Sequence, residues 1–327
     1  MTINNIVLLL SEFIISLIAA FLVIPKAAEK LKSAGIKGIE LHRKDKVELP
    51  ESLGLIVGLI TVIMVILFSW LFPSTLNLIY VALMVVLLAL LLGFIDDVLN
   101  IRWRYKILIP LLASFPLIFN YTGSTSVQIP IIEIILPLGP FYTFIVIPLI
   151  TIYMSNSINI YAGINLIEVG QTLVLSFAIL ILGFITNSML ALILICPFIG
   201  SSIALAYYNK FPAKVFVGNS YTYFAGALLI TIAVLANMEK VLILCTIPQL
   251  INFLMSLRDF KGKTPRHRAP KFNIKTGLLE DSGYHTLINW ILRKTGPKKE
   301  STLSNICIGF QIIIDATILL IWFFFPF

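Results

Sequence analysis

LNLIYVALMVVLLALLLGFIDDVLNIRWRYK, residues 76–106, holds the two features on which the fold turns. From Leu76 to Ile95 it is almost wholly apolar. A run of ~20 such residues is what a helix needs to cross the hydrocarbon core of a bilayer. The run then stops at an acidic doublet, Asp96-Asp97, and Arg102, Arg104 and Lys106 follow. This is a span meeting water. Lipid offers no partner to open backbone groups, so such a span is a helix.

The rest of the chain repeats the pattern. Further apolar runs lie at Ile6–Ile24, Ser52–Phe72, Lys106–Phe119, Phe141–Ile158, Thr172–Ile185, Met189–Tyr208, Tyr221–Ala236, Val241–Leu257 and Leu303–Phe325. The sequence therefore predicts an all-α polytopic membrane protein of about ten transmembrane helices. Composition agrees. Hydrophobic residues make up 59% of the 327, charged residues only 12%, and mean hydropathy is +0.99, which excludes an ordinary soluble domain. No fixed-period repeat and no low-complexity tail divides the chain. Residues 1–327 are expected to form a single integral membrane domain with one long loop at 258–302. That loop has room for a short helix around Tyr284–Arg293.

Charge sets the expected orientation. Lys26–Lys46, Arg102–Lys106, Lys210 with Lys214, and Arg258–Lys299 hold 23 of the 24 Lys and Arg residues, all in alternate loops; Lys240 is the exception. Short basic loops stay cytoplasmic. Both termini then fall outside, and the polar clusters all fall on the cytoplasmic face. The N-terminal MTINN has no positive n-region, so the first apolar run is expected to be a retained span, not a cleaved leader. The net charge of +8 needs no nucleic acid to explain it; it suits anionic lipid or an anionic substrate, or serves topology alone. Cys196, Cys245 and Cys307 have no Cys-x-x-Cys spacing, which argues against a zinc site or a disulfide framework.

Four clusters carry chemistry. In LGFIDDVLNIRWRYK (92–106), vicinal carboxylates followed by Asn100 and three cations suit a magnesium ion holding phosphate; a solvated helix end is the plain alternative. In NSINIYAGINLIEVGQ (156–171), Asn156, Asn159 and Asn165 interrupt an apolar stretch, and Asn156 and Asn159 share a helix face. Amides there bind a ligand or bond a neighbouring helix. In KVFVGNSYTYFAG (214–226) a Gly-Asn-Ser turn opens a span, and free amides at a helix start favour phosphate. In TPRHRAPKFNIKTG (264–277), Arg266, His267 and Arg268 between two prolines can grip a diphosphate or rest on a lipid surface. Glu12 and Asp315 lie inside spans away from these clusters, where interhelical bonding or a homodimer contact is the expected role.

In these motifs, with a fainter PESLG at 50–54, the chain resembles the polyprenyl-phosphate N-acetylhexosamine-1-phosphate transferase family. The likeness runs from about the second span to the long loop. Arg266-His267-Arg268 stands where bacterial members carry a histidine-rich motif, so the likeness is to the branch shared by eukaryotes and archaea. The resemblance implies transfer of N-acetylglucosamine 1-phosphate from UDP-GlcNAc to a polyprenyl or dolichyl phosphate, with release of UMP, aided by Mg2+ or Mn2+. It implies catalytic roles for Asp96, Asp97 and Lys106, and a metal site of Asn159, Asn219 and Asp97. Asn165 and Phe216 would meet uridine, and Gly163 would offer backbone to the base. Arg266, His267 and Arg268 would meet the diphosphate and sugar; Glu51, Asn100, Trp103 and Asn156 would line the pocket. Asn219 departs from the family, which has an aspartate there. The membrane implied is that of an archaeal cell, tilted so by length and Ile-rich spans, or the endoplasmic reticulum of a eukaryote. A nucleotide-sugar or lipid-linked-sugar transporter, or a non-catalytic UDP-sugar binder of the same fold, are the competing readings.

Overall fold

The apolar runs become helices whose lengths and burial sort them into inner and outer members. The computed structural model describes every residue except 107, 122, 130–133, 260–267 and 327, and leaves the side chains of residues 103, 104, 109, 127–129 and 134 undescribed. In chain order the helices are α1 (Ile3–Ser33), α2 (Gly54–Ser69), α3 (Leu76–Leu99), α4 (Trp103–Lys106), α5 (Ile109–Asn120), α6 (Ile147–Ile160), α7 (Ile167–Ile185), α8 (Met189–Asn209), α9 (Gly218–Leu235), α10 (Glu239–Cys245), α11 (Ile247–Ser256), α12 (Leu287–Thr295) and α13 (Glu300–Phe324).

Among the described residues, seven segments are long and apolar enough to cross a membrane: α1, Pro73–Leu99, Tyr142–Ile160, α7, α8, α9 and α13. The α10–α11 pair would be an eighth, bent by 58°. Pro248 sits just past that break and cannot donate to the preceding turn. α2 and α5 are apolar but shorter, at 16 and 12 residues. The ten expected runs all fall on helices, but only seven are full spans by length.

α8 and α9 form the centre, each 83% buried over its apolar window, against 22% for α1 and 17% for α13. An inner helix is apolar all round because it meets protein on every side; an outer one turns a stripe to lipid. On α1 that stripe is Ile3, Val7, Leu10, Ile14, Ile18 and Leu22. Asp315 joins a buried polar chain: it accepts from Gln311 at 2.6 Å, and Gln249 donates to both Gln171 and Gln311 at 2.7 Å. Glu12 is fully buried, and among the described residues its carboxylate has no hydrogen-bond partner, so the interhelical bond expected of it is not found there. The three cysteines are buried and free.

Among the described residues, three two-stranded antiparallel hairpins, absent from the sequence expectation, decorate the loops: β1 (Lys37–Ile39) with β2 (Glu48–Pro50), β3 (Ser126–Ile129) with β4 (Ile134–Pro137), and β5 (Lys271–Asn273) with β6 (Leu278–Glu280). The long loop carries the expected short helix as α12, starting three residues later because Thr286 caps it by accepting from the amide of Asn289. Its buried Leu287, Ile288, Ile291 and Leu292 pack with Tyr161, Ile164, Ile167 and Leu303 in a second core. The loop is therefore seated on the segment between α6 and α7.

Candidate active site

The last turn of α3 delivers Asp96 and Asp97 to the start of α9. Asp97 Oδ1 accepts from the backbone amide of Asn219 at 2.6 Å, and Oδ2 accepts from the amide of Ser220 at 3.1 Å and the hydroxyl of Ser52 at 2.7 Å. A carboxylate from one helix thus caps the N-terminus of another, where free amides and the helix dipole favour negative charge. Gly218 makes the approach possible. Its φ is +78°, and a Cβ there would lie 2.4 Å from Asp97 Oδ2. Asp96 is buried; Oδ1 accepts from the amide of Ile101 at 3.0 Å and Oδ2 lies 2.9 Å from Lys106 Nζ.

Asn159, near the end of α6, donates from Nδ2 to Asn219 Oδ1 and to Thr222 Oγ1, the latter at 3.0 Å. Asn219, expected to share a metal with Asp97 and Asn159, therefore touches both, the first through its backbone amide and the second through its side-chain oxygen. Their side chains carry oxygens, the kind of donor Mg2+ or Mn2+ takes, so the donor set fits a hard cation, although here Asn159 turns its NH2 to Asn219 and both oxygens of Asp97 accept hydrogen bonds. Asn156 does not join them, for its amide turns back to the carbonyl of Ile152 at 2.9 Å. Asn100 is a left-handed cap with φ of +49°, closing α3 through its amide onto the carbonyl of Asp96. Trp103 lies on α4, its side chain among those undescribed.

The segment after α6 and the segment before α9 are tied together. Buried Asn209 accepts from the amide of Leu166 at 2.9 Å and donates to the carbonyl of Val215 at 2.9 Å. Half-buried Phe216 donates its amide to Pro50 at 2.8 Å, fixing it beside the PESLG stretch. The ring of Phe216 and the carboxylate of Glu51 flank Gly38, at 3.0 and 3.1 Å from where a Cβ would stand. Gly163 adopts φ of +133°, and a methyl there would touch Ala269, the neighbour of Arg268, at 3.6 Å. The end of the basic loop therefore sits on the asparagine-bearing turn.

Arg268 is buried, and its carbonyl accepts from Asn289 on α12 at 2.9 Å. Burial lowers the guanidinium pKa from its usual value, opposed by the charge of Asp259 and by Tyr284. Arg266 and His267 lie outside the described residues.

Asn165 is held from an unexpected side. Its amide nitrogen Nδ2 donates to Glu40 at 2.7 Å, its backbone amide donates to Glu300 at 2.6 Å, and its carbonyl accepts from Ser304 at 2.7 Å. His42 completes the cluster, with Nδ1 3.1 Å from Glu300 and its backbone amide 3.0 Å from Glu40. Burial alone would lower the pKa of His42; the bond to Glu300 and the charges of Glu300 and Glu40 outweigh it and hold the value above the ordinary one. Ser52, Glu40, His42, Asn209 and Glu300 escape the sequence reading. Only Ser52, inside the faint PESLG, carries a local signal.

These helices and contacts define a polytopic helical membrane protein with an oxygen-rich site where helix ends meet. Residues 78–237 match the model of glycosyl transferase family 4. The UDP-N-acetylglucosamine–dolichyl-phosphate N-acetylglucosaminephosphotransferase of Dictyostelium discoideum is 38% identical, over 88% of this chain and 82% of its own. That of Schizosaccharomyces pombe is 32% identical over 81% and 70%. An archaeal relative from Saccharolobus solfataricus is 31% identical over 93% and 92%. The chain belongs to this family of polyprenyl-phosphate N-acetylhexosamine-1-phosphate transferases, on the side that eukaryotes and archaea share.

Proposed function

We propose that this protein transfers N-acetylglucosamine 1-phosphate from UDP-GlcNAc to a polyprenyl phosphate of the dolichyl type, leaving GlcNAc-diphospho-lipid and UMP. The observation that carries this reading is that Asn219 touches both Asp97 and Asn159, with the Asp96–Lys106 pair one residue away, in a chain whose relatives bear that activity in their names. An oxygen of the lipid phosphate attacks the β-phosphorus of the donor, and the bond from that phosphorus to the oxygen of UMP breaks. Such a displacement needs alignment and charge neutralisation more than covalent help.

Each residue has a part. Lys106 leaves Asp96 to meet phosphate, and the freed Asp96 can take the acceptor's proton. Asp97, Asn159 and Asn219 would hold Mg2+ or Mn2+, which when bound neutralises charge on the diphosphate. Phe216 stacks on uracil and Asn165 bonds its edge, with Gly163 offering backbone alongside. Arg266, His267 and Arg268 meet the diphosphate and the N-acetyl sugar, and Glu51 and Trp103 line the pocket. The whole chain acts as one membrane domain of ten crossings. Both termini are external and the site is cytoplasmic, in an archaeal cell membrane or, in a eukaryote, the endoplasmic reticulum. The basic loops support that orientation.

The test is UMP release in detergent or liposomes, with a panel of UDP-sugars and a polyprenyl phosphate, with and without Mg2+. UDP-GlcNAc should give the fastest release, and only with acceptor and cation present. A transporter releases none, and a non-catalytic binder shows affinity without turnover; either outcome overturns the proposal.

A further inference from the structure

We infer that Glu40 is the residue that makes this site select uracil over cytosine, by locking the side-chain amide of Asn165 with its carbonyl oxygen toward the base. The inference rests on the placement of uridine at Asn165 proposed above. A carboxylate that accepts on both oxygens can face only donors. Glu40 accepts from the backbone amide of His42 on Oε1 and from Asn165 Nδ2 on Oε2. The NH2 group of Asn165 must therefore point to Glu40, and Oδ1 must point away from it. Among the described residues Oδ1 carries no hydrogen bond.

The backbone of Asn165 cannot turn to undo this, because Glu300 holds its amide at 2.6 Å and Ser304 holds its carbonyl at 2.7 Å. Only rotation of the side-chain amide could change what the base meets, and Glu40 forbids it. Uracil presents N3–H, which a fixed carbonyl oxygen accepts. Cytosine presents a lone pair at N3, which that oxygen repels. A buried site built to accept a hydrogen bond rejects a partner lacking the donor far more strongly than an apolar pocket rejects a small change of size.

Glu40, His42 and Glu300 also lie close enough to suggest a metal site, their ligand atoms being within 4.8 Å of one another. Both oxygens of Glu40, Oε1 of Glu300 and Nδ1 of His42 already make hydrogen bonds within the cluster, and Oε2 of Glu300 is buried without one among the described residues. The cluster is a clamp on Asn165.

Glu40→Gln tests this with an inverted outcome. The amide of His42 still needs an acceptor, so the introduced glutamine keeps its carbonyl there and turns its NH2 toward Asn165. The amide of Asn165 must then flip and offer a donor to the base. Inhibition by UMP and by CMP is measured on the purified full chain. The wild type should prefer UMP by about 100-fold, and Glu40→Gln should cut that ratio by at least about tenfold, in the range one well-made base contact supplies. Glu300→Gln disturbs the backbone hold and should weaken both nucleotides by a similar factor. In the unaltered protein, N3-methyl-UMP should bind far more weakly than UMP, a readout that needs no variant to fold. If Asn165→Ala leaves UMP inhibition unchanged, the placement of uridine fails. If Asn165→Ala weakens UMP but Glu40→Gln keeps the wild-type ratio, or N3-methyl-UMP binds like UMP, the locking by Glu40 is wrong while that placement stands.

Discussion

Replacing Gly218 with alanine should separate the acidic doublet from the start of α9. The backbone there has φ of +78°, and a left-handed conformation costs an alanine ~1–2 kcal/mol. The new methyl would stand 2.4 Å from Asp97 Oδ2 and 2.8 Å from Ser52 Cα, so the carboxylate must move. Asp97 takes three hydrogen bonds there, from Asn219, Ser220 and Ser52, and bonds to a charged group are each worth ~1.5–3 kcal/mol. Losing one of them together with the backbone cost gives a destabilisation of about 2.5–5 kcal/mol. A displacement of about 1 Å at a reacting group costs ~100-fold in rate. UMP release by the purified variant should fall by about that factor, with a lower midpoint of thermal unfolding. Gly309→Ala on α13 is the control, since a Cβ there meets nothing within 4 Å. A Gly218→Ala protein with wild-type turnover and stability would refute the placing of Asp97 at the centre of the site.

Three further outcomes follow from the same contacts. Asn219→Asp restores a charge beside Asp97 and Asn159; a unit pair at 4 Å is worth ~4 kcal/mol at an effective dielectric of 20, partly offset by repulsion from Asp97, so half-saturating Mg2+ in the UMP assay should drop about tenfold or more. An unchanged magnesium titration would speak against a cation at these residues. His42, with its pKa raised in the folded protein, contributes stability that is fully present below its ordinary value of 6.5 and is lost as pH climbs through the folded value. Thermal midpoints across that window should decline with pH in the wild type and less steeply in His42→Asn; equal slopes would remove the Glu40–His42–Glu300 clamp from the account. Gln249→Leu strips the shared donor from Gln171 and Gln311 and should cost about 1–3 kcal/mol, toward the low end because bundle interiors find substitute partners. A thermal midpoint unaltered in that variant would mean the buried polar chain holds nothing together.

Much of this architecture is legible in the residues alone. A run such as Leu76–Ile95 can only be a helix in lipid, and the acidic doublet marks where it leaves. That Asp97, Asn159 and Asn219 belong together comes only from the family resemblance, not from the residues themselves, while Asn165 stands out by its place among apolar residues. Long-range pairing is what cannot be read. Glu40 and Glu300 both close on Asn165 from remote positions, and Asn209 joins two loops by a side chain with nothing distinctive around it. The hairpins escape because strands of three or four residues are too short to show a period. The turning back of Asn156 depends on a rotamer, which spacing along a helix does not specify.

The most direct measurement follows the donor's two phosphorus atoms separately. UDP-GlcNAc carrying label only on the β-phosphate is given to proteoliposomes holding the protein and a polyprenyl phosphate. The transfer described above puts that label in the lipid extract, in step with unlabelled UMP. Label that stays in UDP would mean the sugar alone moves, and label that stays on intact donor would mean no reaction; either contradicts the account.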